Sequence, residues 1–339
     1  MSPSREGVFV AWIIFQRRTE SLANIFNLET KHYYHSWENR SKLHKLWSYG
    51  LKTIHTLNDL ISIKPKVIFL QLPPIPALYI IALYCRLTGC KYIADCHNVM
   101  IYGRNINFPF VKSLLRKADA LLVHNEDVEV YADKFSLKAI TLRDPLPNLT
   151  NTKNIQLLKI YGLTQGTYII VPWSFASDEP ISELFQAANL MPQIKFVMTW
   201  FSEKLPQNMR NSIPGNLVLT GYLDDSEFNA VFSQAGAALV LTNREGTQPS
   251  AASEAIVLSV PLVLSDLKTT RKLYEDIPIY VQNTPESIRA GLLKALDERA
   301  ECIEKIIAFD KRYKKSLDDE IVDVKKMLDP ILGACRTWH

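Results

Sequence analysis

Thr242–Asp266 reads TNREGTQPSAASEAIVLSVPLVLSD. These residues hold a strand end, a polar loop, a short helix and a second buried strand. Glu245 sits in the loop, and Glu254 falls in the first turns of the helix. Thr247-Gln248-Pro249-Ser250 lies where the helix N-terminus begins. A helix N-terminus presents free backbone N–H groups and partial positive charge, so it favours phosphate. A carboxylate a turn later can grip ribose hydroxyls. The stretch therefore points to a nucleoside diphosphate held at a loop-to-helix junction.

The same alternation extends through the chain. Strands are expected at Val8–Ile14, Thr30–Tyr34, Val67–Gln71, Tyr92–Asp95, Ala120–Val123 and Ala139–Leu142. Helices fall between them, at about Ser21–Phe26, Ser41–Ile63, Ile75–Leu87, Phe108–Lys117 and Asp127–Phe135. Asp144-Pro145-Leu146-Pro147-Asn148 then breaks the pattern as an extended linker. The second half repeats it. Strands are expected at Tyr168–Val171, Lys195–Thr199, Leu217–Leu219, Ala237–Leu241, Pro261–Leu264 and Ile279–Val281. Its helices are expected at Ile181–Asn189, Ser226–Ala235, Ser250–Leu258, Thr269–Tyr274 and Pro285–Leu296, with a charged helical tail over about Glu298–Leu328. Short apolar strands separated by helices form parallel sheets covered on both faces. The fold expected is α/β: two Rossmann-like, doubly wound domains with the ligand site in a cleft beyond the strands' carboxyl ends. The domains are expected at 1–148 and 149–298, with a tail at 299–339 that packs back on the first.

Composition agrees with a globular protein of that size. The 339 residues exceed one ordinary core, and 47% hydrophobic with 22% charged residues is a soluble balance. The five cysteines, Cys85, Cys90, Cys96, Cys302 and Cys335, form no C-x-x-C pair. A reduced, cytoplasmic protein without a zinc site is the expectation. The net charge of +4 hides an asymmetry: residues 1–150 hold 19 Lys+Arg against 12 Asp+Glu, or +7, leaving −3 for the rest. A basic first half suits an anionic partner there, though such imbalance between domains is also ordinary.

Val8–Phe15 is short and apolar and reads as a first buried strand, not a signal peptide. Val67–Leu87 has the length of a membrane span, but Pro73, Pro74 and Pro76 divide it into a strand and a helix that starts near Ile75. Peripheral attachment at the inner face of the cytoplasmic membrane stays open through Tyr79, Ile80, Leu83, Tyr84 and the aromatic, Lys-rich stretch Lys31–Lys52. Ordinary amphipathic domain helices are the alternative for each. Several motifs are absent. Gln16-Arg17-Arg18-Thr19 follows the first strand in place of G-x-G-x-x-G, and there is no G-x-x-x-x-G-K-[ST], G-x-S-x-G or strand-end D-x-D. Dispersed basic residues without a reading motif argue against nucleic acid.

Gly221-Tyr222-Leu223-Asp224-Asp225, the helix Ser226–Ala235, the strand Ala237–Thr242, Glu245-Gly246, Ser253-Glu254-Ala255 and Val260-Pro261-Leu262-Val263 together resemble the GT-B glycosyltransferases, in particular the large retaining family 4. The resemblance implies transfer of a sugar from a nucleotide-diphosphate donor, without cofactor or metal, and leaves UDP or GDP open. It places Glu254 on the ribose, Ser250, Thr247, Gln248 and Ser253 toward the diphosphate, and Glu245 near the donor sugar. The chain departs from the family in two places. Eight residues separate the two glutamates where the family has seven. Pro172–Pro180 lacks the family's basic pair, which leaves Arg244, Lys268 and Arg271 to balance the diphosphate. That region and Asp95-Cys96-His97-Asn98 resemble the inverting mannosyltransferases that act on chitobiosyl-diphospho-dolichol.

An inverting enzyme needs a general base for the acceptor hydroxyl. Asp95 and His97, at a strand end, are the candidates, and His124-Asn125-Glu126 is a lesser one. Arg17, Arg18 and Asn98 are expected to bind the acceptor, since paired arginines suit diphosphate. A sugar or lipid-linked glycan is the acceptor expected, in polysaccharide or glycoconjugate assembly. A sugar-nucleotide epimerase of the same fold and a catalytically silent, glycosyltransferase-like regulatory subunit are the alternatives.

Overall fold

Every described strand joins one of two six-stranded, all-parallel sheets. The computed structural model describes residues 7–174, 176–199 and 207–333. The chain divides into a first unit, residues 1–145 with 316–339, and a second, residues 146–315. The division falls after Pro145, inside the expected linker. The tail is shared: its start groups with the second unit and its end with the first. Cys85, Cys90, Cys96 and Cys302 are free thiols, and Cys335 lies outside the described residues.

The first sheet runs β2-β1-β3-β4-β5-β6. Its strands are β1 (Gly7–Ala11), β2 (Glu29–His32), β3 (Val67–Leu72), β4 (Lys91–Cys96), β5 (Ala120–Val123) and β6 (Ala139–Thr141). β1 and β3 are buried along their whole length, as strands covered on both faces require. Between them run α1 (Arg17–Ile25), α2 (Lys42–Ile63), α3 (Ile75–Thr88), α4 (Asn98–Ile101), α5 (Val111–Lys117) and α6 (Glu126–Asp133). The prolines after β3 do divide the long apolar run, with a Pro in the first turn of α3. No described helix is long and apolar enough to cross a membrane.

Two expectations change here. β1 stops at Ala11 and α1 starts at Arg17, so Arg17 and Arg18 occupy a helical first turn, not a loop. The cause is Gln16, whose side chain accepts the Thr19 N–H and caps the helix earlier than its apolar pattern suggests. The polar segment after β4 is not an open loop either, because α4 and a 3-10 turn at Arg104–Asn107 fold it locally.

The second sheet runs β12-β11-β10-β7-β8-β9. Its strands are β7 (Ile169–Val171), β8 (Phe196–Met198), β9 (Leu217–Leu219), β10 (Ala237–Val240), β11 (Leu262–Ser265) and β12 (Ile279–Val281). Its helices are α7 (Ile155–Ile160), α8 (Ile181–Asn189), α9 (Gln207–Arg210), α10 (Asp225–Ser233), α11 (Ser250–Val257), α12 (Lys268–Tyr274) and α13 (Pro285–Asp297). The short α7 and α9 have no strong periodicity to announce them. α14 (Arg299–Leu332) closes the described chain. α13 lies close on the sheet at Gly291, where a Cβ would come within 2.3 Å of Val281 Cγ1. The strand order reverses between β10 and β7, the topological switch point at which such sheets bind ligands.

Candidate functional site

In the second unit, β10 delivers the chain to the switch point, and Thr242 anchors it there. Thr242 N–H donates to Ser265 Oγ at 2.9 Å, and its Oγ1 donates to Asp178 Oδ2 at 2.6 Å. Ser265 Oγ donates to Asn283 Oδ1 at 2.7 Å, and Asn283 Nδ2 donates to Thr242 O at 3.0 Å. The network ties the ends of β10, β11 and β12 to the loop after β7. Asp178, Ser265 and Asn283 were not among the expected site residues, since nothing local marks residues that meet only across the sheet.

α11 starts at Ser250 with Pro249 in the N-cap position, a residue that makes no side-chain cap hydrogen bond. By contrast, Asp224 closes a capping box on α10, and Thr284 caps α13. An uncapped helix start leaves N–H donors for an anion. Glu254 lies within α11 and is only 5% exposed, with Ser253 buried beside it. Thr247 and Gln248 are half-buried in the approach to the helix, and Ser250 is exposed.

Glu245 has other partners. Its carboxylate accepts the N–H groups of Lys268 and Thr269 at 3.0 and 3.1 Å and the Thr269 hydroxyl at 2.9 Å. It thus caps α12 from outside. The slight burial of this carboxyl opposes ionisation, but the two amides outweigh it and hold the group below its ordinary range. Gly246 takes φ +75°, which a side chain rarely adopts, and its N–H donates to Thr269 Oγ1 at 2.9 Å. Arg271 is engaged as well. It grips Asp266 at 2.5 and 2.9 Å and lies 4.5 Å from the Tyr280 ring centre. Arg244 and Lys268 are exposed.

In the first unit the strand ends of β4 and β5 carry a second constellation. Asp95 is fully buried. Arg18 Nε donates to both of its oxygens, at 2.9 and 3.2 Å, and Arg18 Nη1 donates to Leu142 O and Asp144 Oδ1 at 2.7 and 2.5 Å. Burial works against the charge of Arg18, and the two carboxylates outweigh it, so its pKa rises. Arg18 is 3% exposed and therefore braces Asp95 rather than facing an acceptor; Arg17, one residue earlier, is exposed.

His97 begins α4, with its ring 4.5 Å from that of His124. Burial, then the neighbouring His124, push its pKa down to about 4, so the ring is neutral at pH 7. Gln16 Nε2 lies 3.3 Å from His97 Nε2. With Gln16 Oε1 occupied by Thr19 N–H, that amide donates, which puts the His97 proton on Nδ1. His124 Nδ1 approaches Asp144 Oδ1 at 3.1 Å, while its Nε2 is buried without a hydrogen-bond partner among the described residues. Burial raises the Asp144 pKa, but His124 and Arg18 outweigh it and hold the carboxyl well below its usual range. Asp144, read from sequence as the start of a linker, is therefore part of the cluster. Asp95, His97 and His124 bring ligand atoms within 4.8 Å of one another, a grouping able to hold a metal ion. Any cation would have to share Asp95 with the Arg18 guanidinium.

No protein-family model matches the chain, and no curated protein sequence matches it. Solved structures do. Anabaena Alr3699/HepE in complex with UDP-glucose is similar at a TM-score of 0.71 and 9% identity, over 95% of this chain and 99% of that one. Sucrose-phosphate synthase (tll1590) from Thermosynechococcus elongatus is similar at a TM-score of 0.67 and 11% identity, over 97% and 99%. UDP-GlcNAc 2-epimerase from Methanocaldococcus jannaschii is similar at a TM-score of 0.57 and 12% identity, over 86% and 92%. The likeness is one of fold: two doubly wound parallel sheets of the GT-B class.

Proposed function

We propose that the chain is a glycosyltransferase that moves a hexosyl group from a nucleoside-diphosphate sugar to a sugar or lipid-linked glycan acceptor, without a resident metal or cofactor. The main support is the pairing, at the switch point of the second sheet, of the α11 start, where Pro249 makes no side-chain cap, with the buried Glu254. In this reading the α11 amides, Ser250, Thr247, Gln248 and Ser253 meet the diphosphate, and Glu254 meets the ribose. Arg244 and Lys268 supply exposed positive charge, since Arg271 is held by Asp266. Solved relatives in fold that carry UDP or UDP-glucose support a nucleotide-sugar donor. The first unit is the acceptor-binding one in this reading, with Arg17 and Asn98 as its ligands. Asp95 and His97 are the candidates for catalysis there, His97 as a neutral imidazole. The local resemblance to the dolichol-linked mannosyltransferases suggests a polyprenyl-diphosphate acceptor and a place at the cytoplasmic face of the membrane.

A thermal-shift screen of UDP, GDP, ADP and CMP with their sugar conjugates tests the donor. A nucleotide that binds only the folded chain raises Tm by mass action. No shift with any of them overturns the reading. The epimerases that share the fold favour one second reading, interconversion of the sugar nucleotide itself. Incubation with donor alone separates the two, because an epimerase turns it over without acceptor. If Glu254→Ala and His97→Ala leave glycan output unchanged, a silent regulatory subunit takes the place of both.

A further inference from the structure

α2 turns a mixed row inward and an apolar row outward. Tyr49, Leu57 and Ile63 pack half-buried against the core, and its fully buried residues are Ser48, Lys52, Thr56 and Leu60. These polar groups are matched inside the fold: Lys52 Nζ pairs with Glu38 at 2.6 Å, Ser48 Oγ donates to Glu38 at 2.8 Å, and Trp12 Nε1 donates to Thr56 Oγ1 at 3.0 Å. The opposite side carries Leu43, Leu46, Trp47, Ile54 and Ile61, all 54–72% exposed. Their spacings of three, four and seven residues put them on one stripe of a helix, running roughly 27 Å along its axis. Isolated exposed apolar residues are ordinary, but a continuous stripe is the mark of a docking face.

The charges around the stripe indicate what it meets. From Asn39 to Asn58 the chain contains no Asp or Glu, while Arg40, Lys42 and Lys45 are exposed at the N-terminal end of α2. Trp37, Arg40, His44, Trp47 and Leu51 line a shallow cavity of about 410 Å³ there. Trp37 is held in place by His35, whose ring stacks on it at 5.0 Å, and by the edge of His44 at 5.9 Å. A guanidinium and an imidazole between two indoles suit a phosphate at the level where apolar chains begin. A second copy of the chain would bring no acidic residue from this face to meet those cations.

We infer that α2 is a membrane-docking helix that lies in the plane of an anionic bilayer, with Leu43, Leu46, Trp47, Ile54 and Ile61 in the acyl boundary and Arg40, Lys42 and Lys45 on lipid phosphates. The inference gives residues to the membrane contact proposed above and uses none of the donor-site geometry. Lys52 and Tyr84, both within the surface expected from sequence, are buried and take no part.

The test is flotation of the full chain with phosphatidylcholine vesicles, with and without phosphatidylglycerol, in the absence of nucleotide. Binding is expected only with phosphatidylglycerol, together with a blue shift of tryptophan fluorescence that Trp47→Phe reduces. Leu46→Glu with Trp47→Glu should weaken partitioning by at least about ten-fold. Arg40→Gln, Lys42→Gln and Lys45→Gln together should weaken it by about a hundred-fold at low salt. All five positions are exposed, so unchanged far-UV circular dichroism and Tm establish that each variant folds. Absence of binding to anionic vesicles overturns the inference, as does equal binding by the Glu variant. A wild-type dimer in light scattering that Leu46→Glu with Trp47→Glu splits would assign the stripe to a second copy instead. Because donor binding is read by thermal shift without lipid, failure here leaves the transferase reading standing, and the reverse.

Discussion

Arg18 Nε lies 2.9 Å from Asp95 Oδ1, and neither side chain is more than 1% exposed. A buried pair of this kind adds little over apolar packing, but removing one partner leaves an uncompensated charge. Arg18→Met should therefore destabilise the chain by about 3–5 kcal/mol, read from urea unfolding. Arg17→Gln, at an exposed position, should stay within about 0.5 kcal/mol. Equally small effects would free Arg18 for an acceptor ligand.

His97 makes the stability depend on mild acid. Its folded pKa of about 4 lies below the ordinary value of 6.5, so the unfolded chain binds the proton more readily. The contribution is full above pH 6.5 and is lost as pH falls from 6.5 toward 4, by about 3 kcal/mol at most. His97→Gln should flatten that part of the Tm-versus-pH curve. Asp144 acts lower: its depressed pKa stabilises above the ordinary carboxylate range and is lost only beneath it. A wild-type Tm that holds level from pH 6.5 to 4.5 would show that His97 is not held neutral by burial.

Glu254→Ala should weaken nucleotide binding about ten- to a hundred-fold, the worth of a hydrogen bond to a charged group. Glu254→Gln, which keeps the shape and one acceptor, should fall between. Calorimetric titration with the nucleotide that gives the largest thermal shift checks both. Unaltered affinity in the Ala variant would remove Glu254 from the donor site.

Glu245→Ala should lower Tm even without ligand, because α12 loses its cap, a change worth about 1 kcal/mol. Nucleotide affinity should change less than in Glu254→Ala. An intact Tm with a pure loss of turnover would return Glu245 to the chemistry.

Much of this was legible because it is local. The prolines after β3 break an apolar run by their own geometry, and the α11 start is announced by its small polar residues. The position of Glu254 within α11 follows from the same local pattern. The contacts of Glu245 were not legible, because a glutamate beside a glycine looks the same whether it meets a sugar or caps α12, and its partners lie 23 and 24 residues away. Asp144 looked like a linker residue because its partners, Arg18 and His124, are met only when β1, β5 and β6 are in register. Lys52 looked like part of a basic surface, yet Glu38 and the Trp12 carbonyl receive it inside the fold.

The sequence by itself determined the two alternating α/β halves and the loop-to-helix junction at Ser250, because strand and helix periods and helix starts are set by near neighbours. Only the tertiary structure decided which charges are free to meet a ligand. Arg18 and Asp95 are 77 residues apart in the chain. Their pairing, the neutrality of His97 and the outward apolar stripe of α2 all depend on what burial brings together, and burial is a property of the folded sheet and its helices rather than of any short stretch.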